Sequence, residues 1–90
     1  MTPVNEKLKN FISEPIRDKP VTKLPGIGVT LGSKLADAGF GSASSVLGQF
    51  LLFKMDREYF CDWMHEICQA NNYQAEECWN CLIIWCYTYL

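Results

Sequence analysis

Residues 21–40 read VTKLPGIGVTLGSKLADAGF, and the proline and two glycines in the middle decide how the chain folds. Pro25, Gly26 and Gly28 interrupt a helical pattern that resumes immediately afterwards. Glycine tolerates positive φ and, because it has no β-carbon, lets another molecule approach the main chain. The sequence therefore predicts two short helices joined by a tight turn, a helix-hairpin-helix over about residues 20–39.

The turn is also a candidate anion site. A helix that begins directly after Gly28 leaves its first main-chain amides without intrahelical acceptors, and the helix dipole adds partial positive charge there. Lys23 and Lys34 can add charge beside a bound phosphate, and Ile27 is expected to turn inward onto the core. The motif resembles the clamp by which many repair and replication proteins grip the DNA backbone, an interaction that carries no base information. A plain corner between two helices is the alternative.

The remainder of the chain shows helical spacing and no alternating strand pattern. This predicts an all-α fold, a compact bundle of five or six short helices in a single domain over residues 1–90. Pro15 is expected to close the first helix, and Asp18 to cap a brief second helix with Pro20 in its first turn. Ser42 or Ser44 should open the helix after the hairpin, and Asp56 should cap the next.

The terminal helix, expected from about Ala75 after the loop QANNYQ, is apolar on nearly every face. A helix that packs on one side would show a polar stripe, which WNCLIIWCYTYL lacks. A core face plus a partner surface is therefore favoured, with Trp85, Tyr87 and Tyr89 as anchors, and burial wholly within the chain is the alternative. Gly48, inside the helix VLGQFLLF, costs roughly 1 kcal/mol against alanine, and close helix approach across an interface would explain it.

Charge is divided unevenly along the chain, although the net charge of −2 by itself argues against a nucleic-acid partner. Residues 1–45 carry six Lys and Arg against four acids, a balance of +2, and residues 46–90 carry two against six, a balance of −4. Opposite balances indicate that the two halves face different partners.

Cysteine and histidine supply the candidates for metal or catalytic chemistry. Five cysteines is an odd number, which favours free thiols in a reducing compartment over a disulfide framework. The pairs His65/Cys68 and Cys78/Cys81 have zinc-like spacing, but the second lies within a predicted helix, so small buried hydrophobes are favoured. No nucleophile can be tied to His65 by spacing. We therefore expect no metal, no cofactor, no catalytic residue and no enzymatic activity.

No apolar segment suits a signal peptide or a membrane span. The expectation is a soluble intracellular protein that does not insert into membranes.

The chain resembles the barrier-to-autointegration factor family over essentially its whole length. The segments that carry the resemblance are, in order, EPIRDKPV, L-x-GIG, LADAGF, VLGQFLL, DWM, CWNCL and WC. It implies a helical homodimer that bridges double-stranded DNA without sequence preference. It further implies binding to LEM-domain proteins of the inner nuclear membrane and to lamins, and roles in nuclear assembly and DNA compaction. The implied location is the nucleus, at chromatin and the nuclear envelope, and also the cytoplasm.

The resemblance also assigns residues. Gly26 and Gly28 match the phosphate-gripping turn of the family, Thr30 and Leu31 the amides that follow, and Lys7 and Lys34 basic contacts. With the turn residues chosen above, the predicted DNA-binding set is Lys7, Lys23, Gly26, Ile27, Gly28, Thr30, Leu31 and Lys34. The predicted dimer and partner-binding set is Leu47, Gly48, Gln49, Leu51, Leu52, Lys54, Trp85 and Cys86.

Several positions depart from the family pattern. Glu76 and Tyr73 stand where the family usually has basic residues. Each phosphate contact that is lost weakens binding and reduces the slope of log K against log salt concentration by roughly 0.9. Further positions where bases are common hold Ser33, Ser42, Met55 and Ile83, and Glu6 replaces an uncharged polar residue. The amino terminus keeps only Thr2 of the family's phosphorylated Ser/Thr cluster. These departures favour an alternative: a protein-interaction paralogue with impaired DNA binding that heterodimerises with a full-strength relative.

Overall fold

The computed structural model describes residues 6–90 of the chain. These residues form five α-helices and one short 3₁₀ helix, joined by turns. They are α1 (Glu6–Ile12), the 3₁₀ helix (Val21–Lys23), α2 (Val29–Asp37), α3 (Ala43–Leu52), α4 (Arg57–Cys68) and α5 (Asn72–Tyr89). The Cα radius of gyration is 11.9 Å. The all-α prediction is confirmed for these residues. Thr2 lies outside them.

Two of the predicted helix caps are confirmed. The Ser42 side chain accepts a hydrogen bond of 3.2 Å from the amide of Ser45 at the start of α3. The Asp56 carboxylate accepts one of 2.9 Å from the amide of Tyr59 at the start of α4. Each bond satisfies an amide that the first helical turn leaves without a partner.

The predicted cap at Asp18 is wrong. The 3₁₀ helix begins after Pro20, which is extended at φ −69° and ψ 157°, and it has no side-chain cap. The backbone is extended here because it pairs antiparallel with the start of α3: the amide of Val21 donates to Gly41 and that of Ala43 to Lys19, both at 2.9 Å. Asp18 therefore lies too early in the chain to cap the helix.

Helix α5 begins three residues earlier than predicted. The Asn71 side chain accepts from the amide of Gln74 at 2.8 Å, and the Gln74 side chain accepts from the amide of Asn71 at 2.9 Å. This reciprocal capping box turns the second half of the expected loop QANNYQ, residues 72–74, into the first turn of the helix.

The core lies between α5 and the four shorter α-helices, and α5 packs chiefly against α4 and α1. Its largest side chains include Phe11, Phe50 and Phe60, which solvent scarcely reaches. The prolyl ring of Pro25 and the side chain of Ile27 are buried as well, so the hairpin turn is fastened to this core.

Candidate nucleic-acid interface

The first turn of α2 is open to solvent. Gly28 is its N-cap, at φ −98° and ψ −164°, and supplies no side-chain cap. The amides of Val29, Thr30 and Leu31 occupy the first turn, where no intrahelical acceptor exists. A β-carbon added at Gly28 would meet no atom within 4 Å. The space beside Gly28 is therefore open, which leaves room for an anion near these main-chain donors.

Gly26 lies against α5, a contact that the sequence did not predict. Its φ is +86°, and a β-carbon there would lie 2.4 Å from the main-chain oxygen of Gln74. The β-carbon side of Gly26 thus faces the first turn of α5. The residue is glycine because the turn needs positive φ and because α5 lies against it, and the assignment of its main chain to phosphate binding stays a prediction.

Ile27 lies inward, as expected, with none of its surface exposed. Its main-chain oxygen accepts a hydrogen bond of 2.6 Å from the ammonium nitrogen of Lys7 on α1. Burial lowers the pKa of Lys7, because desolvation disfavours the charged form, and this outweighs the attraction of Glu77. The sequence assigned Lys7 only to phosphate binding, and its bond to the turn was missed.

The other predicted DNA-binding residues divide into exposed and buried side chains. Lys23 ends the 3₁₀ helix and Lys34 lies in the last turn of α2, and both are exposed, as is Thr30. Leu31 is only 8% exposed and its side chain belongs to the core. Leu31 can therefore offer a ligand only its main-chain amide.

Tyr73 and Glu76 lie in the first two turns of α5. In sequence they flank Gln74, whose main chain lies against Gly26 of the hairpin turn. The Tyr73 side chain is 73% exposed. The Glu76 carboxylate forms an ion pair of 3.1 Å with the Arg57 guanidinium at the start of α4, and both side chains are more than half exposed. The acid at position 76 is thus partly neutralised within the chain.

An apolar patch lies on α3 and in the turn that follows it; we define it as Leu47, Gly48, Leu51, Leu52 and Met55, of which Leu47 is partly buried. Leu51, Leu52 and Met55 are 40%, 73% and 41% exposed. A β-carbon at Gly48 would meet nothing within 4 Å, so no packing inside the chain requires glycine there. A cluster of exposed large apolar side chains is typical of an interaction surface.

Two further residues of the predicted partner-binding set adjoin the patch. Gln49 is partly buried, and Lys54 is exposed with φ +58° just after α3.

Trp85 and Cys86, both assigned to the partner-binding set, have little exposed surface in the single chain, and their contact with a partner stays a prediction. They are only 5% and 7% exposed. The indole nitrogen of Trp85 donates to the main-chain oxygen of Glu14 at 3.2 Å, and its ring stacks on Tyr89 with centroids 4.9 Å apart. Helix α5 packs chiefly against α4 and α1 and buries six of its residues, whereas Tyr87 stays 85% exposed.

The zinc candidates do not form a site. Across residues 6–90, no group of three or more His, Cys, Asp or Glu side chains is placed to hold a metal ion. His65 contacts the main-chain oxygen of Ala70 at 3.1 Å, and the Cys68 thiol donates to that of Met64 at 3.3 Å. All five cysteines are free, and burial raises the pKa of Cys81 to about 12. The polar partners of His65 and Cys68 are thus local.

None of the helices in the described range combines the length and hydrophobicity that crossing a bilayer requires.

Comparison with known proteins gives consistent matches. A family profile described as barrier to autointegration factor matches residues 2–89. The chain is 51% identical over 90 residues to the barrier-to-autointegration factor of Drosophila melanogaster, and the alignment covers 100% of both chains. It is 43% identical over 90 residues to barrier-to-autointegration factor A of Xenopus laevis, again over 100% of both. With the Homo sapiens barrier-to-autointegration factor the identity is 44% over 86 residues, 96% of this chain and 97% of the human one.

Proposed function

The chain belongs to the barrier-to-autointegration factor family, and from this premise we propose that it binds double-stranded DNA without sequence preference. As a homodimer of single-domain subunits, it bridges DNA duplexes in chromatin organisation and nuclear assembly. It links DNA to LEM-domain proteins of the nuclear envelope and to lamins. It works without a cofactor or catalysis, in the nucleus and also in the cytoplasm.

The observation that carries the proposal is the open first turn of α2. The main-chain amides after Gly28 have no side-chain cap, and the space beside Gly28 is open. They can therefore donate to a phosphate oxygen, and the helix dipole favours negative charge there. Lys23 and Lys34 stand exposed on the two helices of the hairpin, where they can neutralise further phosphates. These donors recognise the backbone and not the bases, so the binding should be independent of sequence.

Bridging requires two such turns held apart. Each chain supplies one, and a twofold dimer through the apolar patch on α3 would supply two. The exposed Leu51 and Leu52 give that surface an apolar centre, and Gly48 would let a second backbone approach closely. The same face would receive LEM-domain partners.

Electrophoretic mobility shifts with several random 20-base-pair duplexes test the DNA-binding proposal. We expect equal affinities for all sequences and a loss of affinity with salt, with a logarithmic slope of about −0.9 for each phosphate neutralised. Absence of binding at low salt would contradict it, and a strong preference for one sequence would contradict the backbone mode.

The second candidate function is the DNA-impaired paralogue that heterodimerises. The Glu76–Arg57 ion pair favours it. The Glu76 carboxylate would repel a phosphate, and the Arg57 guanidinium beside it is already paired and so is less available to neutralise one. The double variant Glu76→Arg with Tyr73→Lys separates the two functions. If the unaltered chain barely binds duplex DNA and the double variant binds well, the paralogue function is supported. If both bind tightly, it is contradicted.

A further inference from the structure

A groove of about 620 Å³ lies between α1 and the 3₁₀ helix, beside the hairpin turn. Its volume falls within the range of sites that hold small ligands, about 300–1,000 Å³. Phe11 lines it, together with three ammonium groups, those of Lys7, Lys19 and Lys23. Glu14 is the carboxylate that lines the same groove.

The charges in the groove do not balance. The Glu14 carboxylate is already paired with the Lys19 ammonium, which also donates to the main-chain oxygen of Pro15 at 3.1 Å. Lys7 and Lys23 are the other two ammonium groups of the lining, and each lies on a different element. Burial lowers the pKa of Lys7, the attraction of Glu77, which is not a lining residue, raises it, and Lys23 lowers it by a smaller effect. Such like charges are stabilised when an anion lies between them.

Neutral side chains complete the lining. Asn10, Ser13 and Thr22 present amide and hydroxyl groups to the groove. These groups can donate to phosphate oxygens while the ammonium groups supply charge-assisted bonds. A spread of donors over α1 and the 3₁₀ helix fits several linked phosphates better than a single one.

We propose that this groove binds a compact polyanion, a diphosphate or triphosphate group, through Lys7 and Lys23. The group can come from free inorganic polyphosphate or from a nucleotide, which share this chemistry. Lys7 would then turn one of its two remaining N–H donors to the ligand while another holds Ile27.

Occupation of the groove would also weaken DNA binding at the hairpin, a consequence that rests on the proposed DNA binding. Lys7 and Lys23 belong both to the groove and to the predicted DNA-binding set. A polyanion in the groove neutralises them, so duplex DNA releases fewer counterions on binding and its affinity falls.

Titration of ¹⁵N-labelled protein with sodium tripolyphosphate, at constant ionic strength, tests the proposal by NMR. We expect saturable shifts at Lys7, Asn10, Thr22 and Lys23. Lys23→Gln should raise the Kd about tenfold, the loss of one charge-assisted hydrogen bond. The matched control Lys9→Gln removes the same charge from α1 outside the groove and should leave the Kd unchanged.

Two further arms sharpen the test. Glu14→Gln removes the carboxylate and should tighten binding, a gain that misfolding cannot produce. Adenosine triphosphate should bind like tripolyphosphate and adenosine monophosphate more weakly. If adenosine triphosphate binds but tripolyphosphate does not, a nucleoside is required and the polyanion proposal is overturned.

Shifts confined to residues 28–31 would place the ligand at the hairpin instead and overturn the proposal, as would equal losses in Lys23→Gln and Lys9→Gln. The two proposals fail separately. Tripolyphosphate binding without any mobility shift of DNA would contradict the proposed function alone, and DNA binding without groove shifts would contradict the groove alone.

Discussion

The ammonium nitrogen of Lys7 lies 2.6 Å from the main-chain oxygen of Ile27, twenty residues later in the chain. This bond ties α1 to the hairpin turn from one side, while the first turn of α5 packs on Gly26 from another. The turn is therefore held in shape by two helices that are remote from it in sequence. Its open amides are preorganised before any ligand arrives, which reduces the entropy lost on binding.

Removing the Lys7 bond should loosen the turn. We expect Lys7→Met to lower the free energy of unfolding by about 1–2 kcal/mol, because a charge-assisted hydrogen bond is removed and the Ile27 oxygen keeps no charged partner. Lys9→Met, on the exposed face of the same helix, should change it by less than about 0.5 kcal/mol. Urea denaturation followed by circular dichroism measures both. Equal effects would show that the bond contributes nothing.

The two glycines of the turn should respond oppositely to alanine. Gly26→Ala places a methyl group against the Gln74 oxygen at positive φ, and should cost about 2–4 kcal/mol of folding free energy. Gly28→Ala enters open space at an extended φ and ψ, and should cost only about 0.5–1 kcal/mol, the preference for glycine over alanine at an N-cap. Thermal melts of the two variants make the comparison. Similar melting temperatures would refute the different roles of the two glycines.

These two glycines also show where sequence reasoning stops. Capping by Ser42 and Asp56 involves residues three apart, so the sequence carries the signal. The Asn71–Gln74 capping box has the same spacing and was recoverable from sequence, but the polar composition of QANNYQ favoured a loop. In contrast, the close approach of Gly26 to Gln74 joins residues 48 positions apart, and no local pattern encodes it.

Trp85 illustrates the same limit for surfaces. An apolar helix face has one appearance in sequence whether it meets its own chain or another. Only the tertiary packing of the helices decides that Trp85 is interior and that Leu52 is exposed.

Leu52→Glu should weaken binding to a LEM domain at least about tenfold, because a carboxylate buried in an apolar interface is desolvated without a partner. The fold should be preserved, since the Leu52 side chain is 73% exposed. Ser44→Glu is the matched control, with the same charge in the first turn of the same helix. Isothermal titration calorimetry gives the affinities. An unchanged affinity in Leu52→Glu would remove the apolar patch from the partner surface.

Alkaline pH should destabilise the fold through Cys81. Burial raises its folded pKa to about 12 from a reference value of 9.0, so the unfolded chain loses this proton first as the pH rises. The stability that the protonated thiol contributes is complete below pH 9 and is lost progressively as the pH rises towards 12. Urea midpoints measured from pH 8 to 11 should fall, and the fall should be shallower in Cys81→Ala. Parallel curves for the two proteins would exclude this contribution.

The central claim is that uncapped amides behind Gly28 hold a DNA phosphate, and Gly28→Asp tests it most directly. Aspartate is a preferred N-cap, so its carboxylate should bond to these amides and preserve or slightly raise the melting temperature while it blocks the anion site. Gly28→Asn caps similarly without the charge and separates blockage from repulsion.

Fluorescence anisotropy titrations of a labelled duplex at two salt concentrations would decide it. We predict that Gly28→Asp binds at least about tenfold more weakly than the unaltered chain, with Gly28→Asn between them, and with no loss of thermal stability. Equal affinity in all three proteins would contradict the account.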